Sequence, residues 1–239
     1  MTGKGVRIGV IDSGLHPRHP HITAEKVIGA VAVERDGSIS EDANEALDRL
    51  GHGTAVTAAI QEKAPDAELL IVRVFHDKLA ASAAALVAAI DFCVDQGVDL
   101  INLSLGSTNV AHRLVFQAAA ERALARDVLL VAARSVGEEP CFPGALPIVL
   151  GVGLDWDCPR DRFIVQPVSD GLAYMASGYP RPIDGAPLQR NLHGISFAVA
   201  QMTGFAARAC QAVGDAGPTG DRRGLVCRQL EEWAAIPVA

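Results

Sequence analysis

Six short apolar runs, at 6–11, 27–33, 69–74, 100–103, 128–132 and 148–152, are separated by stretches with helical patterning such as 79–96 and 111–126. Within each run polar residues do not alternate with apolar ones, so each is expected to be a strand buried on both faces. Parallel neighbours need a crossover connection, and crossover helices cover both sides of the sheet they join. The chain is therefore expected to be an α/β protein, a parallel sheet with helices on both faces. At 239 residues, 49% of them hydrophobic, one well-filled domain spanning residues 1–239 is expected, since the length is short for two.

Open sheets of this kind place their sites at the carboxyl ends of the strands. The first run ends there in an acid, Val10-Ile11-Asp12-Ser13-Gly14. Forty residues on, Gly51-His52-Gly53-Thr54 opens an apolar stretch read as a helix with His52 in its first turn. Near the other end, Gly194-Ile195-Ser196-Phe197-Ala198 opens the longest apolar helical stretch of the chain. An acid, a base and a hydroxyl, each flanked by glycine, are the parts of an acyl-transfer triad. In such a triad the imidazole takes the serine proton, the carboxylate fixes its tautomer, and the serine oxygen attacks a carbonyl.

The order acid, histidine, serine resembles that of the subtilisin-like serine proteases and differs from the orders of α/β-hydrolases and chymotrypsin-like enzymes. The resemblance implies a subtilisin-like fold, with Asp12 as orienter, His52 as general base and acid, and Ser196 as nucleophile. It also implies that Ser104-Leu105-Gly106, after the run at 100–103, pairs with an extended peptide substrate as an added strand. By the same resemblance Cys141, just before Phe142-Pro143, falls in the floor of the pocket for the residue preceding the cut. Around His52 and Ser196 the match is incomplete: Ala55 stands where the family has a second histidine, Ala58 where it has glycine, and Ala200 where it has proline.

One departure touches the chemistry. The family carries an asparagine whose amide donates to the oxyanion, in an Ala-Ala-Gly-Asn segment after an apolar strand. Here that segment reads Ala132-Ala133-Arg134-Ser135, and Phe142-Pro143-Gly144 downstream holds the alignment in register. Ser135 is the positional match, with a hydroxyl in place of an amide, and Arg134 is a second candidate donor. An enzyme with a weak oxyanion hole suits few turnovers, as in limited processing of a peptide or protein precursor, for instance leader removal in bacterial peptide maturation. Two rivals follow from the same residues: a catalytically silent peptide-binding module using the Ser104–Gly106 edge, and an esterase or peptide ligase that resolves its acyl-enzyme with a nucleophile other than water.

Composition narrows the partners. A net charge of −7 with scattered basic residues disfavours nucleic acid, and no apolar run of the roughly 18 residues that a membrane span requires is present. The first strand begins almost at Met1, so neither signal peptide nor propeptide is expected, and five cysteines, an odd number, read as reduced thiols in the cytoplasm. The three histidines in Leu15-His16-Pro17-Arg18-His19-Pro20-His21 lack the cysteine or carboxylate spacing of a zinc site. Secreted members of the family hold calcium in a loop after the histidine helix and at an acid after the His-Pro pair. Here 60–65 runs straight on as Ile-Gln-Glu-Lys-Ala-Pro, and His21 occupies the place of the acid. No metal and no cofactor is expected, and a chelator should shift neither melting temperature nor activity; a drop of several degrees with EDTA would overturn this.

Overall fold

The computed structural model describes residues 1–169, 171–185, 187–214 and 221–234. The strands are β1 (Arg7–Asp12), β2 (Val27–Val33), β3 (Ile39–Ser40), β4 (Glu68–Arg73), β5 (Leu100–Leu103), β6 (Leu129–Ala133), β7 (Ser135–Val136), β8 (Glu139–Pro140), β9 (Leu150–Leu154), β10 (Phe163–Val168) and β11 (Gly171–Ala176). The helices are α1 (His52–Lys63), α2 (Ala83–Asp95), α3 (Arg113–Leu124), α4 (Ile195–Val213) and α5 (Arg222–Ala234). Nine strands form one sheet in the order β10-β11-β9-β6-β5-β1-β4-β2-β3, while β7 and β8 make a separate small hairpin. The sheet is parallel from β11 to β2 and ends in an antiparallel strand on each side, β10 and β3.

The expected α/β architecture holds, and the reason is visible in alternate residues. Ile8, Val10, Leu69, Ile71 and Val131 pack on the face covered by α1, α4 and α5. Their neighbours Ile11, Leu70, Val72 and Leu130 pack on the face covered by α2 and α3. Because successive side chains point to opposite faces, a strand covered twice must be apolar throughout.

Two differences from the expected elements have local causes. The helix expected over 79–96 starts at Ala83, because the Ser82 hydroxyl accepts the Ala85 N–H at 3.0 Å and caps it. The hairpin β10–β11 and helix α5 carry no strong apolar pattern: β10 is a half-exposed edge strand containing Pro167, and α5 buries only Val226 and Leu230 among its residues. Among the described residues no helix is long and apolar enough to cross a membrane.

Register sets up the site. Ile11 of β1 is level with Leu103 of β5, so Asp12 and Ser104 leave the sheet side by side at its carboxyl edge. Helices α1 and α4 pack against each other on one face, and each begins at that same edge with His52 and Ser196 in its first turn.

Candidate active site

Asp12 and His52 are joined directly: the imidazole Nδ1 lies 2.7 Å from the carboxylate Oδ1, which also accepts the Ser13 N–H at 2.7 Å. Asp12 is 1% exposed, and its other oxygen, Oδ2, is buried without a hydrogen-bond partner among the described residues. A carboxylate can only accept, so Nδ1 carries the proton and Nε2 keeps a lone pair. Burial is the largest influence on His52 and lowers its pKa. The hydrogen bond to Asp12, the charge of Asp12 and the charge of Asp48 oppose it and together prevail, so the imidazole titrates above its usual range.

The close approach of β1 to α1 depends on Gly53, where an added Cβ would stand 2.3 Å from the Gly14 carbonyl oxygen. The first turn of α1 is held from outside by two side chains. The Ser13 hydroxyl accepts the Gly53 N–H at 2.8 Å and donates to Asp48 Oδ1 at 2.8 Å. Asp48 Oδ1 also takes the Leu50 and Gly51 N–H groups, and Oδ2 takes both the N–H and the hydroxyl of Thr54. Asp48 thus satisfies amides that a helix start leaves open and brings negative charge beside His52. The sequence analysis passed over Asp48. The available signal was an acid four residues before a histidine that begins a helix.

The chain enters α4 through Gly194 at φ 142°, a conformation that favours glycine, which sets Ser196 in the first turn. Phe197 is buried against the imidazole, with ring centroids 5.7 Å apart. The Ser196 hydroxyl donates to the Ser104 carbonyl at 3.2 Å. A hydroxyl has one proton, so while donated to Ser104 it is not offered to His52. Ser104 is anchored by a buried polar chain that the sequence reading missed. The Asn102 amide donates to the Ser104 hydroxyl at 2.9 Å, and the Thr203 hydroxyl of α4 lies 2.9 Å from Asn102 Oδ1.

Ser104, Leu105, Gly106 and Cys141 come together. Ser107 and Phe142 exchange backbone hydrogen bonds of 2.9 Å, and the Cys141 N–H donates to the Arg134 carbonyl at 2.9 Å. Cys141 lies beneath Gly106, where an added Cβ would sit 2.7 Å from its sulfur. Burial pushes this thiol up to about 11, so at neutral pH it is uncharged and a poor nucleophile. Ser135 lies on the β7–β8 hairpin, half-buried, and lines a recess with Arg113, Arg134, Pro140 and Phe142 that neither His52 nor Ser196 lines.

Residues 3–148, which include Asp12 and His52, match the Subtilase family, peptidase S8. Subtilisin DY of Bacillus licheniformis is 27% identical over 226 residues, spanning 86% of this chain and 76% of its own length. An intracellular serine protease of Paenibacillus polymyxa is 29% identical over 204 residues; the alignment covers 74% of this chain but 60% of that protein. Among solved structures, the prenylagaramide maturation protease PagA superposes with a TM-score of 0.64 at 26% identity, covering 93% of this chain and 80% of that one. The carboxylate–imidazole pair at the edge of a parallel sheet and these matches lead to one conclusion: the chain belongs to the subtilase family of serine endopeptidases.

Proposed function

We propose that Asp12, His52 and Ser196 form the catalytic triad of an endopeptidase that makes a limited cut in one peptide or precursor. The observation that carries this reading is the 2.7 Å Asp12–His52 pair at the start of the helix packed beside the one that begins with Ser196. Ser196 Oγ turns from the Ser104 carbonyl, gives its proton to His52 Nε2 and bonds the substrate carbonyl carbon. His52 then passes that proton to the leaving amine as the carbon–nitrogen bond breaks. Water repeats the sequence and frees Ser196. The Ser196 N–H and the positive end of α4 stabilise the oxyanion, and the acyl half of the substrate lies along Ser104–Gly106 above Cys141. A cytoplasmic setting is in keeping with five free thiols and the intracellular relative, and peptide maturation with the likeness to PagA.

A silent peptide-binding module is the second reading, favoured by serine at position 135 where the family has its donor amide. A fluorophosphonate probe separates the two: labelling that disappears in Ser196→Ala establishes an activated serine, and no labelling of the native protein establishes the module.

The oxyanion donor has its own test. In subtilisin, loss of the asparagine amide costs about 10²–10³ in kcat, so Ser135→Asn is expected to raise kcat by up to that factor with KM little changed, since the donor acts in the transition state. Ser135→Ala is expected to lower kcat if the hydroxyl already serves in its place. No gain from asparagine and no loss from alanine would remove position 135 from the oxyanion hole.

A further inference from the structure

The three histidines after β1 line a recess of about 280 Å³ together with Arg49 and Arg181. Its wall includes Gly51, next to His52, and Leu192, four residues before Ser196; none of Ser104–Gly106 lines it. The recess therefore adjoins the starts of both site helices and is separate from the Ser104–Gly106 edge. Asp48 is the one acid among its described lining residues, and both of its oxygens are taken by the α1 start and Ser13.

The cations are less committed. Arg181 uses an N–H of its guanidinium on the His21 carbonyl, at 3.2 Å, and the rest of its fork can meet a second acceptor. Arg49 is exposed at the mouth. Burial first, then the charges of Arg181 and His19, lower the His21 pKa against the opposing charges of Asp184 and Glu62, so the two arginines carry the fixed positive charge of the recess. His19 accepts the His21 N–H on Nδ1 at 3.2 Å, which leaves Nε2 as the ring nitrogen that can meet a ligand. Ala55, Ala58 and Ile183 add apolar wall, which reduces solvent screening of a charge held there.

We propose that this recess receives the leaving-group side of the substrate and selects a carboxylate there. This rests on the triad reading above. A peptide whose acyl half pairs with Ser104–Gly106 must carry the residues after the cut past His52, which protonates their amine, and the recess begins at the residue beside that histidine. The carboxylate is an aspartate or glutamate side chain soon after the cut, or the carboxyl terminus of a short leaving fragment.

A peptide library cut by the protein and read by mass spectrometry tests this. Wild-type cleavage that disappears in Ser196→Ala establishes the triad whatever the residue preference. Acidic residues are expected to be enriched about threefold or more in the first three positions after the cut, with the enrichment lost in Arg181→Gln and Arg49→Gln and kept in Arg181→Lys. Cuts that cluster within three residues of peptide ends, and stop clustering once those ends are amidated, assign the carboxylate to the chain terminus instead. Equal preferences in wild type and both glutamine variants, with amidation also without effect, overturn the proposal. A wild type that cuts nothing overturns both it and the triad.

Discussion

Replacing Ser196 with alanine is expected to lower kcat by about 10⁶, the scale of loss that removal of the serine alone causes in subtilisin. In the proposed mechanism each chemical step passes through its oxygen, and no neighbouring hydroxyl is placed to substitute: Ser104 is buried with its hydroxyl held by Asn102. Stability is expected to change by about 1 kcal/mol or less. The substitution deletes one half-buried oxygen and one 3.2 Å hydrogen bond, and it puts the better helix former into the first turn of α4. Peptide hydrolysis followed by chromatography, with thermal unfolding beside it, checks both parts. A variant that turns over substrate at the wild-type rate would remove Ser196 from the nucleophile's role. One that is inactive because it no longer unfolds cooperatively would say nothing of chemistry, and for that reason the two measurements belong together.

Asp12→Asn is expected to cost about 10⁴ in kcat, the scale seen for the equivalent change in a chymotrypsin-like protease. The size of the side chain is kept, but an amide can donate to Nδ1 where the carboxylate could only accept. The imidazole then carries its proton on Nε2 and has no lone pair for Ser196. The pH profile gives an independent reading. His52 must be neutral to act as a base, so activity is present above its pKa and lost as pH falls through it. Asp12 and Asp48 hold that pKa above the usual imidazole value of about 6.5, which places the acid limb of kcat/KM on the high side of that value. Asparagine withdraws the Asp12 contribution while burial, which lowers the pKa, remains. The limb should therefore move to lower pH in the variant. A limb that stays in place would mean that another group titrates there.

How far the site could be read from the chain follows from the range of each interaction. Asp12, His52 and Ser196 were legible because their neighbours are local signals: an apolar strand ending in an acid, and helix starts marked by glycines. Ser104, Leu105, Gly106 and Cys141 were legible through the same family pattern, and the fold brings them to one place. Asn102 and Thr203 were not legible, since they act through the α4–β5 contact. Asp48 had a local signal, its partners at Leu50, Gly51 and Thr54, and was passed over; only its bond to Ser13 spans distant parts of the chain. The three histidines after β1 were noticed and set aside for lacking the spacing of a zinc site; the recess they line was not legible, because Arg181, which helps complete it, lies 160 residues beyond His21 and Leu192 further still.

By itself the sequence determined the layered α/β architecture, because a strand covered on both faces must be apolar at every position, a property written into short windows of the chain. It determined also which acid, base and hydroxyl stand at strand and helix ends. Tertiary structure alone decided that Ile11 and Leu103 share a register level, that the Asp12 carboxylate meets His52 Nδ1 at 2.7 Å, and that Ser196 rests on the Ser104 carbonyl. Those are relations between elements distant in the chain, set by sheet pairing and by the packing of α1 on α4. A few tenths of an ångström there separate a hydrogen bond from none, a precision that no local pattern of residues encodes.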